Sequence, residues 1–376
     1  MIKRFYSIDF LRAIAILGVV FHHAPFSNRL SAADVKQILL PRFVEAVLYF
    51  GKYGVQLFLV ISGFSIHMFW ATYANQNEKI GFKSFWKKRL IRLYPPYLIT
   101  LILTLICAWF FHGLMSPKTD QPFFQNFGFQ NLTEFSWGIS SLFLMFQNIT
   151  NAGGVIGNGP LWSLALEEQL YLLYFPLLFL RRRSWMLALS VTGIIAIGAM
   201  IVGMLRDPVE FDWWFTAPPI YWFGWALGAL AAEAAIGKIR LPKIMRAPFF
   251  LFSVSAVAIF SDLPKDMFQQ TFLYPLRGVA HCVAFFIMIN WLIQCDKNFE
   301  RFKVLRLIGT ACFGIYLVHV PAMVAVKQIL LRLQAPLYLI FSARIVFSVI
   351  AGLLFYICVE RYFHRKAKQE TQYLKT

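Results

Sequence analysis

Charge is what this 376-residue sequence has least of. Asp, Glu, Lys and Arg make up only 14% of it, and acids number 18 against 36 basic residues. Hydrophobic residues account for 59% and aromatics for 18%, including 40 Phe. Such a composition excludes an ordinary soluble protein, because too few polar residues remain to cover its surface. Cysteine is scarce as well. Cys107, Cys282, Cys295, Cys312 and Cys358 lie in or beside apolar segments, and they form neither a CxxC pair nor a spaced ligand set. They read as small packing residues, and no metal is expected. A clustered acidic loop motif is missing too, which argues against a metal-dependent polyprenyl-linked glycosyltransferase. No internal repeat is visible, so an inverted-repeat transporter is not suggested. The N-terminus lacks an A-x-A-like cleavage site, and its apolar run carries Asp9, Arg12, His22 and His23, so it reads as a retained span.

What the chain does have is a long series of apolar runs. A spanning helix needs about 20 mostly apolar residues. Ten segments qualify, near 7–26, 52–70, 94–112, 161–180, 184–205, 213–235, 247–262, 271–294, 307–331 and 337–359. The stretch 136–150 (SWGISSLFLMFQNIT) is too short and too polar at its ends, and reads as re-entrant or interfacial. The expected fold is therefore all-α: a polytopic transmembrane bundle of about ten spans, forming a single integral-membrane domain over 1–376 without a soluble accessory domain.

The formal net charge of +18 would suggest nucleic acid in a soluble protein. Here the basic residues sit in short clusters between apolar runs, as in cytoplasmic loops. With the N-terminus inside and the spans alternating, inside segments hold 24 Lys and Arg, whereas outside loops hold seven: Arg29, Lys36, Arg42, Lys118, Arg206, Lys265 and Arg332. That asymmetry predicts both termini in the cytoplasm and no nucleic-acid partner. Counting 136–150 as an eleventh span would put Arg181, Arg182 and Arg183 outside.

Ionisable side chains inside spans are expensive and face the bundle interior or a wet cavity. Arg12 and His23 in the first span are eleven residues apart, close to three helical turns and about 16 Å along one stripe. The fourth span opens WSLALEEQ and places Ser163, Glu167 and Tyr171 on one face at four-residue spacing. Tyr316 and His319 lie in the ninth span, ahead of Pro321. His23, Glu167 and His319 thus reach a similar depth in the outer half. The bland readings stand beside this one. His319 serves equally as a helix–helix hydrogen-bond residue, and His22, His67, His112, His281 and His364 are structural by default. Arg277 and Arg344 are candidate ion-pair members without assigned partners.

On the inner side, residues 82–97 (FKSFWKKRLIRLYPPY) interleave Lys87, Lys88, Arg89 and Arg92 with aromatics. Such a patch suits anionic headgroups of membrane lipid or the phosphates of a nucleotide donor, which arginine matches with paired N–H groups. In the second span, Gly54, Ser62 and Gly63 allow close approach of another helix. The segment 151–160 (NAGGVIGNGP) is a plain linker or part of an acceptor entrance.

Taken together, these motifs resemble the acyltransferase-3 family of membrane O-acyltransferases. The likeness rests on Arg12 with His23, GVQLFLVISGF (54–64), Arg89 and Arg92 with the following Pro and Tyr97, WSLALEEQLYLLYFP (162–176), GIYLVHVP (314–321) and VERYF (359–363), spread along nearly the whole chain. The resemblance implies transfer of an acyl group, usually acetyl, from cytoplasmic acyl-CoA to a sugar hydroxyl of an extracytoplasmic or lipid-linked glycan, in the bacterial cytoplasmic membrane. It assigns Arg12, His23 and Glu167 to catalysis, and Arg89 and Arg92, with Lys88 beside them, to the CoA phosphates. Gln56 stands where the family usually has an acid. On this reading His23 is general base or transient acyl carrier, Glu167 orients it, and Tyr316 or His319 faces the developing oxyanion. The rival is a transporter or flippase without chemistry, which has no need of the inner RxxR pair.

Overall fold

The computed structural model describes residues 4–26, 51–73, 82–115, 123–150, 152–205, 216–260 and 267–373. Among them the regular elements are all helical. In chain order they are α1 (Tyr6–Phe26), α2 (Gly54–Tyr73), α3 (Phe82–Met115), α4 (Leu132–Phe143), α5 (Trp162–Leu172), α6 (Tyr174–Arg183), α7 (Trp185–Met204), α8 (Pro218–Ala235), α9 (Pro248–Phe260), α10 (Met267–Gln294), α11 (Lys303–Thr310), α12 (Cys312–Arg332), α13 (Leu337–Phe355) and α14 (Arg361–Tyr373). Two four-residue helical turns, Gln147–Thr150 and Ala152–Val155, lie between α4 and α5. A π-helical turn, Tyr356–Glu360, joins α13 to α14.

Seven of these helices are long and apolar enough to cross a membrane: α1, α2, α3, α7, α10, α12 and α13 with its continuation. α5 and α6 qualify together as one bent element, with a 44° break, which makes eight. The break follows from Pro176. Its ring clashes with the carbonyl four residues back, at Leu172, where α5 ends. The remaining two of the ten expected segments are α8 and α9. α8 begins on Pro218 and Pro219 and carries Glu233, so it is less apolar. α9 has 13 residues, about 20 Å against the ~30 Å of a bilayer core. Of the basic residues expected outside, Arg29, Lys36, Arg42, Lys118, Arg206 and Lys265 lie outside the described residues.

The third span, expected near 94–112, belongs to a helix that begins well before Pro95 and Pro96. α3 starts at Phe82 and runs for 34 residues, about 51 Å. Its basic first turns continue directly into the span. α4, with 12 residues, reaches only about 18 Å and cannot cross, in keeping with the reading of 136–150. Its last carbonyls are capped by α3: the Tyr97 hydroxyl donates to Leu142 O at 2.6 Å and that of Tyr94 to Phe143 O at 2.7 Å. The chain then turns through Met145 at φ 58°.

The helices form two compact units, and α1 is shared between them after Arg12. The first unit comprises 1–12, 55–79 and 163–306. Within it α7 packs on α6 and α8, and α10 packs on α8 and α9. α2 meets α8 backbone to backbone: a Cβ on Gly63 would strike the Trp225 carbonyl, and one on Gly228 would strike the Val60 carbonyl. Small residues give helices in lipid their closest packing. The second unit comprises 13–54, 80–162 and 307–376. There α12 packs along α13 and against α3, and α14 lies on α3.

Candidate active site

In the second unit, α1, α12 and α13 bring together two imidazoles and a guanidinium. Pro25 and Pro321 follow His23 and His319 by two residues each and interrupt the backbone ladder beside them. The His23 Nδ1 donates to Val19 O at 2.9 Å. A carbonyl only accepts, so Nδ1 carries a proton, and in the neutral ring Nε2 keeps its lone pair. His319 has the same arrangement, with Nδ1 donating to Tyr316 O at 2.7 Å, and its buried Nε2 has no hydrogen-bond partner among the described residues. The two rings lie 5.2 Å apart at 58°. His22 is 5.3 Å from His23 on the other side. Arg344 is fully buried, with its Nη2 3.5 Å from His23 O. Ser348 Oγ lies 2.6 Å from Arg344 O and 3.1 Å from His319 O. The structure thus joins His23 to His319, as equal depth suggested, and gives Arg344 a place beside them. Tyr316 is turned elsewhere: its hydroxyl donates to Pro160 O at 2.6 Å, which takes the proton expected to serve an oxyanion.

Glu167 belongs to the first unit and His23 to the second, and each is described by its own surroundings. The Glu167 Oε1 accepts from Ser62 Oγ at 2.5 Å and from Tyr171 OH at 2.7 Å. The Tyr171 contact is the four-residue spacing expected within α5. Ser62 was read as a small packing residue; the signal missed was that a hydroxyl in a span needs an acceptor. Arg12 is held at 3.2 Å by Asp9, which also pairs with Arg4 at 2.7 Å, and it donates to Ser65 Oγ at 2.7 Å.

A second charged cluster of the first unit was not anticipated. Glu233 accepts from His67 Nε2 at 2.9 Å, Arg181 Nη2 at 2.8 Å and Trp185 Nε1 at 2.9 Å. The Tyr174 hydroxyl reaches His67 Nδ1 at 3.3 Å, and Trp70 stacks on the imidazole at 5.1 Å. With His67 and Glu233 fully buried and Glu233 accepting from three N–H groups, this network has the character of a structural lock.

At the start of α3, Lys83 and Lys87 are exposed, and Lys88 and Arg89 are half-buried. The Arg89 guanidinium lies over the Phe85 ring at 5.7 Å. Arg92 faces a different partner. It is the opposite charge acting on the buried carboxylate of Glu360, which also accepts the Gly314 N–H at 2.9 Å. The two arginines of the RxxR pair are therefore not equivalent. No group of three His, Cys, Asp or Glu suited to a metal occurs among the described residues.

Apolar helices of spanning length, with imidazoles, carboxylates and a guanidinium buried among them, define an integral membrane protein equipped with more polar groups than packing requires. The acyltransferase-3 family model, described as an acyltransferase domain, matches residues 5–360, and the chain belongs to that family. Relatives include the peptidoglycan O-acetyltransferase OatA of Listeria monocytogenes, 28% identical over an alignment 349 positions long that covers 86% of this chain and 50% of that protein. The O-acetyltransferase OatA of Staphylococcus aureus is 25% identical over an alignment 397 positions long, gaps included, that covers 98% of this chain and 60% of that protein. The putative peptidoglycan O-acetyltransferase YrhL of Bacillus subtilis is 22% identical over 351 residues, 85% and 48% of the two chains. The chain spans about half to three-fifths of the length of these relatives. No solved structure matches it.

Proposed function

We propose that the chain is a membrane O-acyltransferase of the cell envelope, moving an acetyl group from cytoplasmic acyl-CoA to a sugar hydroxyl of an extracytoplasmic glycan. The names of its relatives favour peptidoglycan as that glycan. The observation that carries the reading is the state of His23. With Nδ1 committed to Val19 O, Nε2 offers a lone pair inside an apolar bundle, which is what a general base requires. In the reaction, the acceptor hydroxyl gives its proton to His23 Nε2 as its oxygen bonds to the thioester carbonyl carbon. The C–S bond then breaks, and the departing CoA thiolate takes up the proton. His319, with its lone pair 5.2 Å ring to ring from His23, holds the acceptor hydroxyl rather than an oxyanion.

Glu167, held by Ser62 Oγ and Tyr171 OH, is the carboxylate assigned to the reaction. Arg12, held by Asp9 and Ser65, positions the inner part of α1. Arg89, Arg92 and Lys88 meet the CoA phosphates, with Arg92 also within electrostatic reach of Glu360. Ten spans with both termini cytoplasmic accommodate these assignments: eight come from the apolar helices, and the other two are α8 and α9.

The test is His23→Ala and His23→Gln in reconstituted protein, following thiol release from acetyl-CoA and ester formed on the glycan. General acid–base work contributes about 10²–10⁴-fold, so both variants should insert normally and fall by at least about a hundredfold. Parental rates in either variant would remove His23 from the mechanism.

A further inference from the structure

The second unit contains buried hydrogen-bonding atoms beyond those the mechanism above uses. Asn158 is fully buried in the turn before α5. Its Nδ2 lies 3.4 Å from Leu317 O and 3.3 Å from Thr104 Oγ1. The reason for the first contact is visible in the sequence. In a helix the Leu317 carbonyl would accept from residue 321, but that residue is Pro321 and has no N–H. Asn158 fills the gap and is thereby anchored to α12 two residues from His319. Its other atom, Oδ1, has no hydrogen-bond partner among the described residues. Gln147 repeats the pattern. It is 1% exposed, its Nε2 donates to Leu161 O at 2.9 Å, and its Oε1 has no partner among the described residues. His319 Nε2 is the third such atom.

These three atoms offer lone pairs, and the Thr100 hydroxyl, one turn from Thr104 in α3, is a further buried group without a partner among the described residues that can donate as well as accept. Buried polar groups left unmade are unfavourable and rare. What satisfies such a set is a molecule whose groups both donate and accept. A thioester group, a phosphate or a lipid tail has no donor hydrogens and the pantetheine arm of CoA has few, whereas a sugar presents adjacent hydroxyls that do both. We infer that Asn158 and Gln147, with the Nε2 of His319, form the hydroxyl-binding subsite for the glycan acceptor, and that Asn158 determines specificity for it. The inference rests on the proposed acyl transfer and deepens it, since it names the groups that recognise the acceptor. Each amide is held by its N–H₂ on a backbone carbonyl, so its oxygen has one fixed direction, as a selective site requires.

The experiment uses the full chain in proteoliposomes with Asn158→Leu and Gln147→Met, acetyl-CoA, and a soluble peptidoglycan disaccharide as probe. The KM for the disaccharide should rise about tenfold in each variant, while the KM for acetyl-CoA and the acceptor-free release of thiol stay within about twofold of the parent. A deoxy disaccharide lacking one hydroxyl should bind more weakly to the parent, and that difference should vanish in Asn158→Leu. An unchanged disaccharide KM, or a comparable loss of thiol release and of acetyl-CoA binding alongside the disaccharide effect, would assign these atoms to ordered water or to folding and overturn the subsite. Equilibrium binding of the labelled disaccharide without donor separates the two proposals. Binding that depends on Asn158 in a chain that forms no ester keeps the subsite and removes the transferase. Ester formation with binding indifferent to Asn158 does the reverse.

Discussion

Two carboxylates of the first unit show how surroundings divide structural from chemical roles. Glu233 is fully buried and accepts from three N–H groups, of His67, Arg181 and Trp185. All three neighbours are donors, so Glu233→Gln would set an amide N–H₂ against a donor and leave Arg181 without its counter-charge. Removing one member of a buried pair costs about 3–5 kcal/mol, and the thermal midpoint of the detergent-solubilised variant should fall sharply; a parental midpoint would disprove the lock. Glu167 instead faces two hydroxyls, of Ser62 and Tyr171. Hydroxyls donate or accept, so Glu167→Gln should leave the midpoint nearly unchanged while acyl transfer drops about a hundredfold or more, a typical acid–base contribution. Loss of fold without a specific loss of turnover would make Glu167 structural as well. The sequence showed the Tyr171 contact, because a four-residue spacing is local. It concealed Ser62 and the whole Glu233 network, because contacts between distant helices leave no mark on either one's periodicity. Arg181 illustrates the point: as part of a basic triplet it read as a topology signal, yet its guanidinium reaches a buried acid 52 residues away.

At the scale of elements, the glycines of α2 and α8 decide whether the first unit closes. Gly63 and Gly228 each sit where a Cβ would meet backbone of the opposing helix, at Trp225 and Val60. Backbone cannot rotate away as a side chain can, so Gly228→Leu should force α2 and α8 apart and abolish most folded protein in a detergent-stability assay. Gly198 in α7 is the control, since nothing stands within 4 Å of a Cβ there. Gly198→Ala should be neutral or stabilise by about 0.5–1 kcal/mol through helix propensity. Equal behaviour of the two variants would mean that the crossing is not what holds these helices. The close approach at Gly63 was legible as a small residue in an apolar run, and the break between α5 and α6 was written in Pro176. The length of α3 was not. Its charged first turns resemble a loop by composition, and Pro95 and Pro96 resemble a boundary. The helix nevertheless continues through both, and Tyr94 and Tyr97 beside them anchor α4 by its last carbonyls.

For the molecule as a whole, the number of crossings fixes which residues share a side of the membrane. Hydropathy and length alone find seven or eight spans, whereas the 24-to-seven distribution of basic residues favours ten. The difference lies in α8 and α9, and the physical ground for counting α8 is that its polar content is hidden. Trp222, Trp225 and Glu233 are buried within the protein, and a helix enclosed by others need not be apolar all round. If ten is right, the turn after α12 faces outward and the turn after α10 faces the cytoplasm. Cys295 ends the second segment on an exposed position, and Gln334 tips the first at φ 53°. A chain keeping Cys295 as its sole cysteine should therefore resist a membrane-impermeant maleimide in intact cells and react once they are permeabilised. A chain with Gln334→Cys as its sole cysteine should react at once. Both residues lie on the flanks of α12, separated by an odd number of crossings in any assignment that keeps that helix. Reversed labelling would thus invert the whole orientation and place the start of the RxxR helix on the outer side. Labelling of both from outside would strike out α12 as a span, and with it the placing of His319 inside the membrane.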